Sequence, residues 1–108
     1  MNDTLQRLYQ VVESRRAEPQ EGSYTCYLFD QGLDKILKKV GEESGETIIA
    51  AKNGIQADTV GEISDLLYHL TVMMAQLNIP LEAVMEELDR RSAKIGNKKQ
   101  FHVSDHET

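Results

Sequence analysis

Two long stretches in which apolar residues recur every three or four positions constrain this chain more than any other feature. The first runs from about Leu33 to Asn53, with Leu33, Ile36, Leu37, Val40, Thr47, Ile48 and Ala51 along one stripe, and stops at Asn53-Gly54. The second starts near Asp58 or Thr59 and runs to Asn78, with Ile63, Leu66, Leu67, Leu70, Met73 or Met74, and Leu77 on its apolar face and Pro80 beyond. This is the period of an amphipathic α-helix, and glycine or proline just past the last periodic residue is its expected stop. Thr59-x-x-Glu62 reads as a capping box that opens the second helix. A short loop between two such helices makes them antiparallel neighbours.

The flanks extend the same architecture. Leu5, Leu8, Tyr9 and Val12 predict a helix over residues 3 to about 16, with Asp3 or Thr4 as N-cap, and Glu18-Pro19-Gln20-Glu21-Gly22 breaks it. Tyr24 to Phe29 shows some alternation, yet Ser23 stands where a cap would stand and a lone strand has nothing to pair with, so the segment reads as a short helix. Pro80 opens a last helix to about Lys94 on Leu81, Val84, Met85 and Leu88, and Gly96-Asn97 ends it. Residues 97–108 are polar and read as a mobile tail, which leaves 1–96 as the helical domain. The expected fold is all-α: a helical bundle with two long antiparallel central helices. One copy gives those helices too few neighbours, so homodimerisation is expected to complete the bundle, with Val72 to Leu77 as the candidate interface or, equally, part of the core.

Composition narrows the function. At 108 residues there is room for one core, and 40% apolar with 6% aromatic residues suits a bundle of Leu, Ile, Val, Met and Ala. No apolar run nears 18 residues and no signal-peptide pattern opens the chain, so neither a membrane span nor export is expected. The one cysteine, Cys26, can form no internal disulfide, which fits a reducing cytoplasm, and it reads as a small half-buried side chain. A net charge of −6 argues against a nucleic-acid polymer as partner. It leaves room for a small phosphorylated ligand held through cations.

The acidic residues sit inside the two long helical patterns. Glu42, Glu43 and Glu46 fall within roughly a third of a helix circumference, and Glu62 and Asp65 within a narrower arc. Packed face to face, the helices would converge these carboxylates on one small volume, where a hard divalent cation bound by oxygen alone (Mg²⁺, or Mn²⁺) removes the penalty of burying them. Each glutamate also has a structural reading, since Lys38 and Lys39 precede Glu42 and Glu43 by four residues. Gly41 and Gly45 cost the helix about 1 kcal/mol each relative to alanine, which points to the close approach of a ligand or second helix. Phosphoryl chemistry suits such a cluster, with Glu43, Glu46, Glu62 and Asp65 as metal ligands. Glu42 can bind a metal, pair with a lysine or accept a proton from water, and Glu42 and Glu46 are the candidate catalytic carboxylates. His69, one turn past Asp65, is a candidate to orient a ligand carboxylate, or else a hydrogen-bonded core histidine. Lys39 and the pair Arg90-Arg91 are the leading cationic contacts for a phosphate-rich substrate. No Glu-x-x-His, Walker loop or Cys-x-x-Cys offers a competing chemistry.

Glu42-Glu43-x-x-Glu46 with Glu62-x-x-Asp65 is similar to the signature of the MazG-type all-α nucleoside triphosphate pyrophosphohydrolases. More narrowly, Gly22-Ser23-Tyr24-Thr25, Gly32, Lys35 through Glu43 and Asp65-Leu66-Leu67-Tyr68-His69-Leu70 resemble the phosphoribosyl-ATP pyrophosphohydrolase family, over roughly residues 5 to 91. The resemblance implies hydrolysis of phosphoribosyl-ATP to phosphoribosyl-AMP and pyrophosphate with Mg²⁺, the second step of histidine biosynthesis, by a cytoplasmic homodimer with sites between its helices. It implies Glu43, Glu46, Glu62 and Asp65 as metal ligands, Glu42 as accessory acid, and Ser23, Tyr24, Thr25 and Lys39 on the substrate side. Two departures stand out: Ser44-Gly45 where the family carries small apolar residues, and a segment from Arg90 to Gln100 that matches its basic pattern poorly. No cyclohydrolase-like domain is present, so the following step is expected of a separate protein. A house-cleaning enzyme acting on dUTP or damaged nucleotides, or a non-catalytic helical module whose acidic patch binds Mg²⁺ or a basic partner, are the competing readings.

Overall fold

Five helices follow from these patterns: α1 (Thr4–Ala17), α2 (Tyr24–Gln31), α3 (Leu33–Asn53), α4 (Gln56–Gln76) and α5 (Leu81–Ile95). The computed structural model describes residues 2–95, with side chains through residue 93, so the expected stop at Gly96-Asn97 and the tail 97–108 lie outside the described residues. Among the described residues all regular structure is helical. The ambiguous segment after Ser23 is the helix α2, and its cap is the expected one: the Ser23 Oγ accepts from the Cys26 N–H at 3.2 Å. Cys26 is half-buried, and its Sγ accepts from the Gln20 N–H at 3.2 Å, tying the α1–α2 loop down. Asp3 occupies the N-cap position of α1 without capping it; Asn2 Oδ1 takes the Thr4 N–H instead, at 2.8 Å.

Helices α3 and α4, 21 residues each, are joined by Gly54-Ile55 alone, which folds them into a hairpin. Gly54 makes the reversal at φ 79° and ψ 12°, a left-handed conformation that closes α3 through its N–H to the Ala50 carbonyl. The connection is so short that α4 begins a turn earlier than the capping box predicts. Ile55 is the N-cap, and Thr59, inside the helix, donates back to the Ile55 carbonyl at 3.3 Å. Across the hairpin the Thr47 hydroxyl lies 3.2 Å from the Glu62 carbonyl, marking where the helices run closest beside the carboxylates.

Val12, Leu28, Ile36, Val72 and Ala75 form the core, with Leu8, Phe29, Tyr68 and Met73 packed on it. The second half of α4 is therefore central. Val72, Met74 and Ala75 are buried, so of the two readings of this stretch, interface or core, the core reading holds, leaving Leu77 exposed at its end. The reason is that α1 and α2 pack on α4 as well as α3, and its first half, Gln56 to Asp65, is left largely exposed. Ile63 and Leu67, expected in the core, are exposed, as are Leu37 and Ile48 on α3. Gly41 and Gly45 meet nothing within the chain: a Cβ at either would have no neighbour within 4 Å.

α1 also holds the end of α4. Arg16 donates to the Ala75 carbonyl at 2.5 Å and to Asn78 Oδ1 at 2.7 Å, and the Tyr9 hydroxyl donates to the Ile79 carbonyl at 2.7 Å. Asn78 takes the left-handed conformation of this turn, φ 58°. Pro80 precedes α5, whose first residue Leu81 is buried, but beyond it α5 makes no extended contact with the other helices.

Candidate active site

The α3–α4 hairpin brings together three carboxylates. One oxygen each from Glu43, Glu62 and Asp65 lies within 4.8 Å of the other two. Glu43 points inward from α3 and is 6% exposed. Its Oε1 is 3.8 Å from Lys39 Nζ, and its Oε2 is buried with no hydrogen-bond partner. An orphaned carboxylate oxygen costs several kcal/mol unless something neutralises it, and three hard oxygen donors at this spacing suit Mg²⁺ or Mn²⁺. The donor set fits such an ion.

Glu46 lies one turn further along α3, exposed and outside the three-oxygen cluster, yet it faces Glu62. Burial first, then repulsion from Glu46, Glu43 and Asp65, holds the Glu62 carboxyl above the usual glutamate range, and a hydrogen bond with Glu46 adds to the effect. Glu42 turns away to pair with Lys39 at 3.3 Å. That hydrogen bond holds Lys39 above the ordinary lysine range against the opposing effect of burial. Asp58, three residues into α4, lines the same cleft of about 510 Å³ with Glu46, Glu62, Asp65, Ile49 and Asn53. The spacing Asp58, Glu62, Asp65 carried that information in the sequence, where Asp58 was read only as a helix start. A larger cleft, about 810 Å³, opens between α1 and α2 around Arg15, Gln20 and Cys26, but it holds none of the clustered carboxylates.

His69, 4% exposed, reaches the main chain of Asp65 rather than a carboxylate. Its Nδ1 lies 2.8 Å from the Asp65 carbonyl and its Nε2 3.1 Å from the Tyr24 hydroxyl. A carbonyl only accepts, so Nδ1 donates to it. His69 thus ties α2 to the helix turn that carries Asp65. Ser23 is engaged as the cap of α2, and the Thr25 hydroxyl is bonded to that of Tyr68. Of the expected substrate-side residues, Tyr24 and Lys39 border the carboxylates through these contacts. Arg90 and Arg91 are not brought there: both pair with Glu87 on α5, Arg91 at 2.7 Å.

The profile of the phosphoribosyl-ATP pyrophosphohydrolase family matches residues 5–92. A phosphoribosyl-ATP pyrophosphatase of Clostridium acetobutylicum is 52% identical over 99 residues, 92% of this chain and 90% of the relative. One from Clostridium botulinum is 52% identical over 98 residues, 91% of this chain and 89% of the relative. One from Listeria monocytogenes is 56% identical over 91 residues, 84% of this chain and 87% of the relative.

Proposed function

The chain belongs to the phosphoribosyl-ATP pyrophosphohydrolase family, and we propose that its carboxylate cleft carries out that chemistry with one or more divalent cations, Mg²⁺ foremost. It hydrolyses phosphoribosyl-ATP to phosphoribosyl-AMP and pyrophosphate, in histidine biosynthesis. Water adds across the anhydride between the inner and middle phosphates, so one phosphate stays on the nucleotide and two leave together. Glu43, Glu62 and Asp65 are the primary metal ligands. Glu46, facing Glu62, completes the set or takes a proton from the water, and Glu42, already paired with Lys39, keeps that lysine's ammonium at the edge of the cleft. Bound Mg²⁺ supplies charge neutralisation and polarisation of the phosphate chain.

On the substrate side, Ser23 and Thr25 fix the start of α2, which presents Tyr24, and Lys39 offers a cation beside it. Arg90 and Arg91 serve the phosphates only where α5 folds against a cleft, its own copy's or a partner's. We further propose a homodimer in the cytoplasm. Its interface is the exposed face of the hairpin carrying Leu37, Ile48, Val60, Ile63 and Leu67, in place of Val72 to Leu77.

The observation that carries this reading is the buried, unpartnered Oε2 of Glu43 beside Glu62 and Asp65. The experiment is pyrophosphate release with Mg²⁺ from phosphoribosyl-ATP, ATP and dUTP, with Glu43→Gln as control. Release from phosphoribosyl-ATP that is lost in the variant is the expected result. Preferential turnover of dUTP would transfer the protein to the house-cleaning enzymes, and no release from any substrate would leave a helical binding module.

A further inference from the structure

Tyr27 opens, with Tyr24, on the larger cleft between α1 and α2, and neither Tyr27 nor Lys35 has a part in the metal site. The Tyr27 ring stacks on that of Tyr24, with centroids 6.0 Å apart and planes at 25°, and Tyr68 stacks on Tyr24 from the inner side at 6.1 Å and 27°. Tyr24 is pinned by its hydrogen bond to His69, whose ring meets it edge-on at 5.8 Å. The two outer rings of this ladder are nonetheless 45% and 44% exposed. Stacked rings open to water on the cleft between α1 and α2 make a ready surface for a flat heterocycle, since every nucleobase has a π-face that stacks on tyrosine. Among the described residues, Tyr9 and Tyr68 are partly buried with hydroxyls engaged and Phe29 packs on the core, so the exposed rings are Tyr24 and Tyr27.

The lysines give this surface a direction. Lys35, Lys39 and Glu43 succeed one another every four residues on α3, close to one turn each, so Lys35 lies about 12 Å along the axis from Glu43. Lys39 is near enough to Tyr24 to feel its phenol, and Lys35 Nζ lies 6.0 Å from the Tyr27 centroid. From the carboxylates outward the order is therefore Glu43, then Lys39 with Tyr24, then Lys35 with Tyr27. A nucleotide whose triphosphate lies at the metal ligands places its base on the tyrosines. Anything attached to the far side of that base comes to Lys35.

Resting on the reading of the site given above, we propose that the Tyr27 ring, backed by Tyr24, is the stacking surface for the purine. Lys35 binds the phosphate of the ribose attached to that purine, so Tyr27 and Lys35 select phosphoribosyl-ATP over ATP. The ammonium leaves the Tyr27 face for the phosphate when the base docks.

Because the chain has no tryptophan, Tyr27→Trp places one indole in the protein as a binding reporter. Its emission is titrated with AMP and with phosphoribosyl-AMP in the presence of Mg²⁺, alongside steady-state kinetics of wild type, Lys35→Met, Tyr27→Phe and Tyr27→Leu on phosphoribosyl-ATP. Expected are quenching by both nucleotides, at least tenfold tighter for phosphoribosyl-AMP, and loss of that gap when Lys35→Met is added. In the kinetics, Lys35→Met and Tyr27→Leu raise KM about tenfold or more with kcat within about threefold, and Tyr27→Phe behaves as wild type, consistent with the scale of base stacking. Equal affinity for the two nucleotides, or unchanged KM in Lys35→Met, overturns the role of Lys35; absence of quenching with unchanged KM in Tyr27→Leu overturns the stacking surface. If wild type fails to hydrolyse phosphoribosyl-ATP, the functional reading falls, and the fluorescence titration alone then decides whether the tyrosines bind a base.

Discussion

Glu43 carries an unfavourable burden in the metal-free protein: a buried carboxylate with one oxygen unpartnered and two more carboxylates within 4.8 Å. Glu43→Gln removes that charge at nearly constant shape. We expect metal-free Glu43→Gln to melt above metal-free wild type, to lose the rise in Tm that Mg²⁺ gives wild type, and to lose turnover by about 10²-fold or more. Calorimetry in EDTA and in Mg²⁺ separates the first two effects from the third. Glu62 makes a second prediction through pH. Its folded carboxyl titrates above the ordinary 4.5, chiefly from burial and then from its acidic neighbours. Between those two points the folded state holds a proton that the unfolded state has released, so this group lowers stability as pH rises. Urea midpoints in EDTA should therefore show a decline from about pH 4.5 upward, and Glu62→Gln should flatten it. Of these residues the sequence revealed what helical period reveals. Glu62 and Asp65, three apart, must share a face, and so must Glu43 and Glu46. Period does not say how deep a side chain lies, so it does not separate the buried Glu43 from the exposed Glu46. The bond between His69 and Tyr24 joins two helices and was illegible for the same reason.

At the scale of elements, stop signals were more legible than starts. Gly54 and Pro80 bound their helices as expected, since a left-handed reversal and a missing N–H act locally. The Thr59 capping box failed because a two-residue hairpin leaves no room for a separate cap, and the helix began at Gln56 instead. The long contact that Arg16 makes to the end of α4 could not be read at all, being set by how α1 docks. It is nonetheless testable. Arg16 satisfies the Ala75 carbonyl and Asn78 Oδ1 where α4 turns into α5. Arg16→Met keeps most of the stem and removes both bonds, and should cost about 1–3 kcal/mol of unfolding free energy. Tyr9→Phe, which removes only the bond to the Ile79 carbonyl, should cost about 0.5–1.5 kcal/mol. Both are measured by urea denaturation, and both should leave KM for phosphoribosyl-ATP unchanged.

At the scale of the molecule, one copy is extended. Its Cα radius of gyration is 16.3 Å, against about 13 Å for a compact chain of this length. α5 makes no extended contact with the other helices, and the outer face of the hairpin is bare. Helical geometry says which face that is. On α4, Ile63 and Leu67 lie about 100° and 140° round from Glu62 in one sense, while Asp65 lies about 60° in the other. On α3, Leu37 and Ile48 are likewise some 120–140° from Glu43, on the side away from Glu46. In an antiparallel pair these offsets put all four apolar residues on one side of the hairpin and the carboxylate cleft on the other. Ile48 is 65% exposed there, with Val60 continuing the patch. The proposed dimer would cover this apolar face and leave both clefts open. Sedimentation should accordingly give twice the 12.2 kDa chain mass. Ile48→Glu combined with Ile63→Glu places charge at the centre of the patch and touches no ligand of the proposed metal site. We expect that double variant to sediment as a monomer, with a urea midpoint that no longer depends on protein concentration. A dimer that survives it would move the interface to another surface, with the exposed Leu88 side of α5 the next apolar patch to test.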